Sequence, residues 1–346
     1  MMRYALPAFL ALAACGAKAD PPPVVPDPAL AGQFLFVTNK GDGTLSKIDL
    51  GTGKEAQRVD SCEDPHEMAA SPGGAHVALA CYGGTTVAIF RASDLAQVAS
   101  IELGGAVKPH GIAWLAEADG QGDRIYVTAE GREALMVISD PLGARPQLTE
   151  IKTGRGGSHM VAVSPDRTRG WTANMMNHTV SLLDLDEAKA LKSVPLEGEP
   201  EGIAVSPDGD ALWISARAAN SVVELDPRTL EKRRTVPVGA YPLRLIIRPQ
   251  GDVAVTSDME DGALSVIDLD TAQVLRAIPV SGRDDAERRF QVTILWSADG
   301  ERIYAAETGT DTVAEIDYAS GKVRRRFAVG RQGDGLALIG EGGNGG

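Results

Sequence analysis

The sequence predicts an all-β fold, a seven-bladed β-propeller of four-stranded blades whose last blade is closed by the N-terminal strands. Seven residues, His66, His110, His159, Glu201, Leu243, Val292 and Asp334, open successive repeats at separations of 44, 49, 42, 42, 49 and 42. A period of roughly 40–50 residues made of short apolar runs is the signature of one propeller blade per repeat. Tight-turn motifs recur in register with it, at Ser71-Pro72-Gly73-Gly74, Ser164-Pro165-Asp166, Ser206-Pro207-Asp208-Gly209, Arg248-Pro249-Gln250-Gly251 and Ser297-Ala298-Asp299-Gly300. Proline presets φ and glycine accepts positive φ in such reversals.

Residues 1–14 read as a lipoprotein signal peptide. A basic start at Arg3 precedes an apolar run from Tyr4 to Leu12, too short to span a bilayer, and then Leu12-Ala13-Ala14-Cys15-Gly16, which has the form of a bacterial lipobox. Residues 15–33 follow as a lipidated Cys15 and a Pro-rich tether, so the membrane is an expected partner through the Cys15 anchor. Ordinary secretion with cleavage nearby is the alternative, and either route folds the domain outside the cytoplasm. Residues 34–340 form the propeller and 341–346 a flexible Gly-rich tail.

The clearest blade runs from Pro200 to Asp226: Gly202-Ile203-Ala204-Val205, the Ser-Pro-Asp-Gly turn, Leu212-Trp213-Ile214-Ser215, then Ser221-Val222-Val223-Glu224-Leu225-Asp226. A more variable fourth strand closes each repeat. The chain opens in mid-blade, with three strands over 34–59 before the first Ser-Pro turn. Its last strand, Asp334-Gly335-Leu336-Ala337-Leu338, lacks partners downstream. Joined, the two ends make one blade. These runs resemble the YVTN-type β-propeller family, whose repeat has the form P-x-G-I-A-V-S-P-D-G, Y-V-T-N, N-T-V-S-V-I-D. The resemblance covers roughly residues 34–340 and implies the propeller fold; members of such families bind, catalyse or coat surfaces, so it implies no single activity.

With 47 acidic against 34 basic residues the net charge is −13, so no nucleic acid is expected, because binding it takes basic grooves. The Arg324-Arg325-Arg326 run reads as a solvated outer-strand face. Seven blades use nearly the whole length of 346 residues, which leaves no room for a separate catalytic domain and fits a monomer. Cys62 and Cys81 flank one hairpin and pair as a disulfide in an oxidising compartment. Two buried thiols, or a thiolate pair near His66 offering soft metal ligands, are the alternatives.

On a ring, residues far apart in sequence become neighbours, so Asp334, His66, His110, His159 and Glu201 form a continuous polar arc. Loops between the second and third strands bring Tyr82, Glu130, Arg132, Asn174, Met175, Met176, Asn177, His178, Arg217, Asp258, Met259 and Glu307 to the same side. His66, His110, His159, Glu201, Arg217, Arg244 and Asp334 are therefore the candidate ligand-binding residues. The first four match the ligand types of a transition metal, Zn or Cu. The expected function is an extracytoplasmic, lipid-anchored propeller, on the periplasmic or outer-membrane face of a bacterial envelope, that binds a small ligand, cofactor or metal at a His/carboxylate-lined mouth. A metal-dependent hydrolase or lyase of lactonase-like design, or a cell-surface scaffold for an envelope protein, are the alternatives. Structural histidines that cap loop backbone groups would leave the arc without a ligand.

Overall fold

The computed structural model describes residues 25–117, 120 and 122–340; Cys15, the leader, most of the tether and the 341–346 tail lie outside the described residues. Seven four-stranded antiparallel sheets form a ring. Blades 1 to 6 cover 65–102, 109–152, 158–195, 200–237, 242–279 and 291–328. Blade 7 combines Gly333–Gly340 with Gln33–Asn39, Thr44–Asp49 and Lys54–Asp60. In that blade Phe34 lies opposite Ile339 and Val37 opposite Leu336, so the two ends of the chain close the circle. Among the described residues no helix is long and apolar enough to cross a membrane.

The repeated turn motif follows from its hydrogen bonds. In blade 4 the Ser206 hydroxyl donates to Asp208 Oδ1 at 2.5 Å and accepts from Ala211 N at 2.9 Å. Blade 3 repeats both contacts with Ser164, Asp166 and Arg169. Blades are joined by apolar faces and by cations that reach carbonyls of the next blade. Lys47 donates to Ala92 O, Arg234 to Leu269 O, and Arg276 to Ala319 O, at 2.8, 3.0 and 3.0 Å. The Arg324–Arg326 run belongs partly to this system and is not a solvated face. Arg325 is buried, pairs with Glu315 and donates to Leu50 O, both at 2.8 Å. Arg326 pairs with buried Glu307 at 2.9 Å, and Arg324 alone of the three is exposed. Alternation places side chains on two faces of a strand, but both faces of an outer strand in a propeller can meet a neighbour.

In five blades the last residue of the second strand, Asn39, Cys81, Asn174, Asp258 or Glu307, ties that strand to neighbouring segments of its blade; in blades 2 and 4 it is an alanine. Asn39 Nδ2 donates to Ser46 Oγ, and Asn174 Nδ2 to Ser181 Oγ, each at 2.8 Å. Asn39 Oδ1 also accepts from Gly330 N at 2.9 Å. Blade 1 makes this tie covalently: Cys81 stands where Asn39 stands in blade 7, and Cys62 stands where Gly330 stands. The two cysteines form a disulfide with Cα atoms 5.8 Å apart.

Blade 5 puts Asp258 in the same place, accepting from Ser265 Oγ at 2.6 Å and Thr256 Oγ1 at 2.7 Å. Burial pushes its carboxyl up from 3.8 to about 6. A folded-state pKa above the unfolded one means that the native state holds the proton more tightly. Stability is therefore lost as pH rises from about 4 to 6, by about 2–3 kcal/mol. Asp258→Asn, which supplies the amide that Asn39 and Asn174 already use, is expected to stabilise the fold at pH 8 and to have little effect at pH 4. Urea unfolding at the two pH values checks this; equal effects at both would contradict it.

Candidate functional site

The seven inner strands line the channel, and in every blade a register irregularity interrupts pairing near the start of the inner strand, as between Pro65 and Met68 or Pro242 and Leu245. A bulge re-aims side chains, so two consecutive residues per blade can address the channel. Where the second of the two is glycine, the next blade packs against it. A Cβ at Gly111 would lie 2.7 Å from His159 O, and one at Gly202 would lie 2.6 Å from Leu245 N. Hydroxyls hold the backbone of the opening residues: Thr38 donates to His66 O at 2.6 Å, Thr128 to His159 O at 2.7 Å and Ser215 to Leu243 O at 2.7 Å. Backbone capping here is done by Thr and Ser, which leaves the imidazoles free for other contacts.

Those imidazoles converge. Ring centroids of His66 and His110 are 4.8 Å apart, and those of His110 and His159 are 3.8 Å apart. His159 lies between two carboxylates, with Nδ1 2.5 Å from Glu130 Oε1 and Nε2 2.8 Å from Glu201 Oε1. Glu201 is also bound by Arg217 at 3.0 Å and by Arg244 at 2.5 Å. Arg244 then reaches across the ring to Glu67 at 2.5 Å, so a guanidinium spans the channel and joins blade 5 to blade 1. At the other end of the arc, Asp334 lies 2.9 Å from Lys40 Nζ, accepts from Thr293 at 2.9 Å and lies 3.4 Å from His66 Nδ1. Leu243 and Val292 are buried and complete the circle.

Burial sets the charge states. It drives His110 well below the usual histidine range, reinforced by the neighbouring His159 and His66. His110 is thus neutral, and among the described residues its buried Nδ1 has no hydrogen-bond partner. Burial opposes the charge on His159 too, but Glu201 and the hydrogen bonds to Glu130 and Glu201 outweigh it and raise the pKa to about 9. Glu201 is held down at about 2, because His159, Arg244 and Arg217 overcome its desolvation. At neutral pH an imidazolium therefore links two carboxylates beside a neutral imidazole with an unused nitrogen.

Each of His110, Glu130 and His159 offers one ligand atom, and the three atoms lie within 4.8 Å of one another. His66 adjoins this group through its ring, whereas both oxygens of Glu201 are taken up by arginines and His159. Arg217 sits at the rim, 5.3 Å from the Tyr241 ring. Among the other loop residues, Arg132 pairs with Glu150 at 2.7 Å, while Asn174, Asp258 and Glu307 serve as ties within or between blades. His178 takes a left-handed φ of 52° that Asn220 and Asp311 share in blades 4 and 6, so its role is to end a turn. Met176 is exposed, and Met68 packs in the core. Ser158 bonds Thr153 and Asn174, and among the described residues no hydrogen bond joins it to an imidazole.

The family model described as "Lactonase, 7-bladed beta-propeller" matches residues 29–276. The chain belongs to this lactonase family of seven-bladed propellers. No curated protein matched this lactonase-family chain by sequence. Among solved structures it is similar to Kuenenia stuttgartiensis hydrazine synthase, at 16% identity over 89% of this chain and 99% of that one, with a TM-score of 0.69. The dihydro-heme d1 dehydrogenase NirN in complex with DHE is similar at 16% identity over 92% and 77%, TM-score 0.63. Citrobacter koseri AztD is similar at 13% identity over 90% and 98%, TM-score 0.67. At these identities the likenesses concern the fold.

Proposed function

We propose that this propeller binds a divalent transition-metal ion, Zn2+ or Cu2+, at its mouth through His110, Glu130 and His159. One observation carries the reading: buried, neutral His110 has an unpartnered Nδ1, and one of its ring nitrogens lies within 4.8 Å of ligand atoms of a second imidazole and a carboxylate. An orphaned buried nitrogen costs stability unless something uses it. Two imidazoles and one carboxylate form a donor set that zinc uses with an open fourth position. To hold an ion, His159 would have to give up the proton it shares with Glu130, and Glu201 would remain behind His159 as the carboxylate that orients the ring.

The disulfide and the leader support a location outside the cytoplasm, the lipobox supports an envelope anchor at Cys15, and the repeat sequence supports a YVTN-type propeller. A Cys15→Ala variant that stayed in the membrane fraction at high salt would contradict the anchor. Calorimetric titration of the full chain in detergent with Zn2+ and Cu2+ tests the metal reading. One ion bound per chain, with proton release, is expected; no binding of either ion would remove it and leave a metal-free binding or scaffolding propeller.

A lactonase-like metal-dependent hydrolase is the second reading, favoured by the family match over residues 29–276. Turnover of a lactone by the metal-loaded chain, absent in Glu130→Gln, would support it, and no turnover of any lactone tested would count against it.

A further inference from the structure

We infer that Tyr82 is the positioning residue of the mouth site, fixing Glu130 as a metal ligand; the inference rests on the metal reading above. The Tyr82 hydroxyl donates to Glu130 Oε2 at 2.9 Å, while Oε1 of the same carboxylate faces His159 at 2.5 Å. Tyr82 belongs to blade 1 and Glu130 to blade 2, so this bond crosses a blade boundary. It decides which oxygen of Glu130 is left for the ion.

Tyr82 is itself held from several sides. Its amide donates to Asp64 O at 3.1 Å, and it directly follows Cys81, whose disulfide to Cys62 fastens the same loop. Its ring lies 4.7 Å from that of His66 and meets that of His110 edge-on at 5.7 Å. A tyrosine hydroxyl keeps its proton throughout the neutral range, so it can donate there. A phenol that is protonated, anchored through its backbone and packed on two site imidazoles meets the requirements of a ligand-orienting group, whose loss in metal proteins costs roughly 10–100-fold in affinity.

The test uses Tyr82→Phe, which keeps the ring contacts and removes only the hydroxyl. Co2+ serves as the probe because its visible bands report ligand geometry. Co2+ binding to the full chain in detergent is expected to weaken about 10–100-fold in Tyr82→Phe, with shifted bands and an unchanged unfolding midpoint. In Glu130→Ala, adding Tyr82→Phe should cause no further loss, since the hydroxyl acts through the missing carboxylate. Unchanged affinity and bands in Tyr82→Phe, or losses that add in the double variant, would overturn the assignment while leaving the metal site standing. Absence of Co2+ binding by the wild-type chain would instead refute the metal reading itself, and the role of Tyr82 with it.

Discussion

Deleting residues 33–60 is expected to unfold the whole propeller instead of one blade. The deletion takes three of the four strands of blade 7 and leaves Gly333–Gly340 without its partner Gln33–Asn39. It also removes Leu50 O, which receives buried Arg325 of blade 6, and Thr38, whose hydroxyl holds His66 O of blade 1. Both neighbours of the missing blade thus lose buried hydrogen-bond partners and expose apolar faces. In an open solenoid each repeat contacts only its neighbours, so an end deletion costs one repeat; in a closed ring there is no end. Thermal unfolding followed by circular dichroism should show no cooperative transition for the deletion. A transition near that of the intact chain would refute circular closure.

Arg244→Ala is expected to destabilise the fold by about 3–5 kcal/mol, the cost of breaking a buried ion-pair network from one side. Arg244, Glu67 and Glu201 are all nearly fully buried, at 5%, 6% and 3% exposure. Removing the guanidinium takes the bonded cation from buried Glu67 and leaves Glu201 with only Arg217 and His159. The bridge also runs across the ring from blade 5 to blade 1, so its loss loosens contacts that no adjacent pair of blades supplies. Adding Glu67→Gln should recover part of the loss, because it removes the carboxylate that loses its cation. Denaturant titrations of the two variants check this, and an Arg244→Ala cost below about 0.5 kcal/mol, the range of an ordinary surface substitution, would show that the bridge is not the buried network described.

The repeat made the architecture and half of the site legible. Spacing alone aligned His66, His110, His159 and Glu201 on adjacent blades, because equivalent positions in a ring must be neighbours. Arg244 was among the candidates, but alternation hid Glu67 as its partner: each sits one residue past its opening position, where a regular strand would turn it away, and the bulge turns it back. Glu130 was visible only as one of many loop residues. Nothing in its local sequence marks it as the partner of a histidine 29 positions on, since that contact depends on how two blades meet. His178 was another of those loop residues, and nothing in its polar surroundings shows that its part is a backbone turn. The left-handed turn position it shares with Asn220 and Asp311 could have been found by aligning the loops as closely as the strands.

X-ray absorption at the metal edge of the Zn2+-loaded full chain tests the mouth site most directly. Two imidazole nitrogens and a carboxylate oxygen at about 2.0–2.2 Å are predicted for the wild type. One imidazole should be missing, with at least tenfold weaker binding, in each of His110→Ala and His159→Ala, while Glu201→Gln keeps the same ligand count. An unchanged first shell in both histidine variants, or a wild-type shell of oxygen alone, would contradict the site.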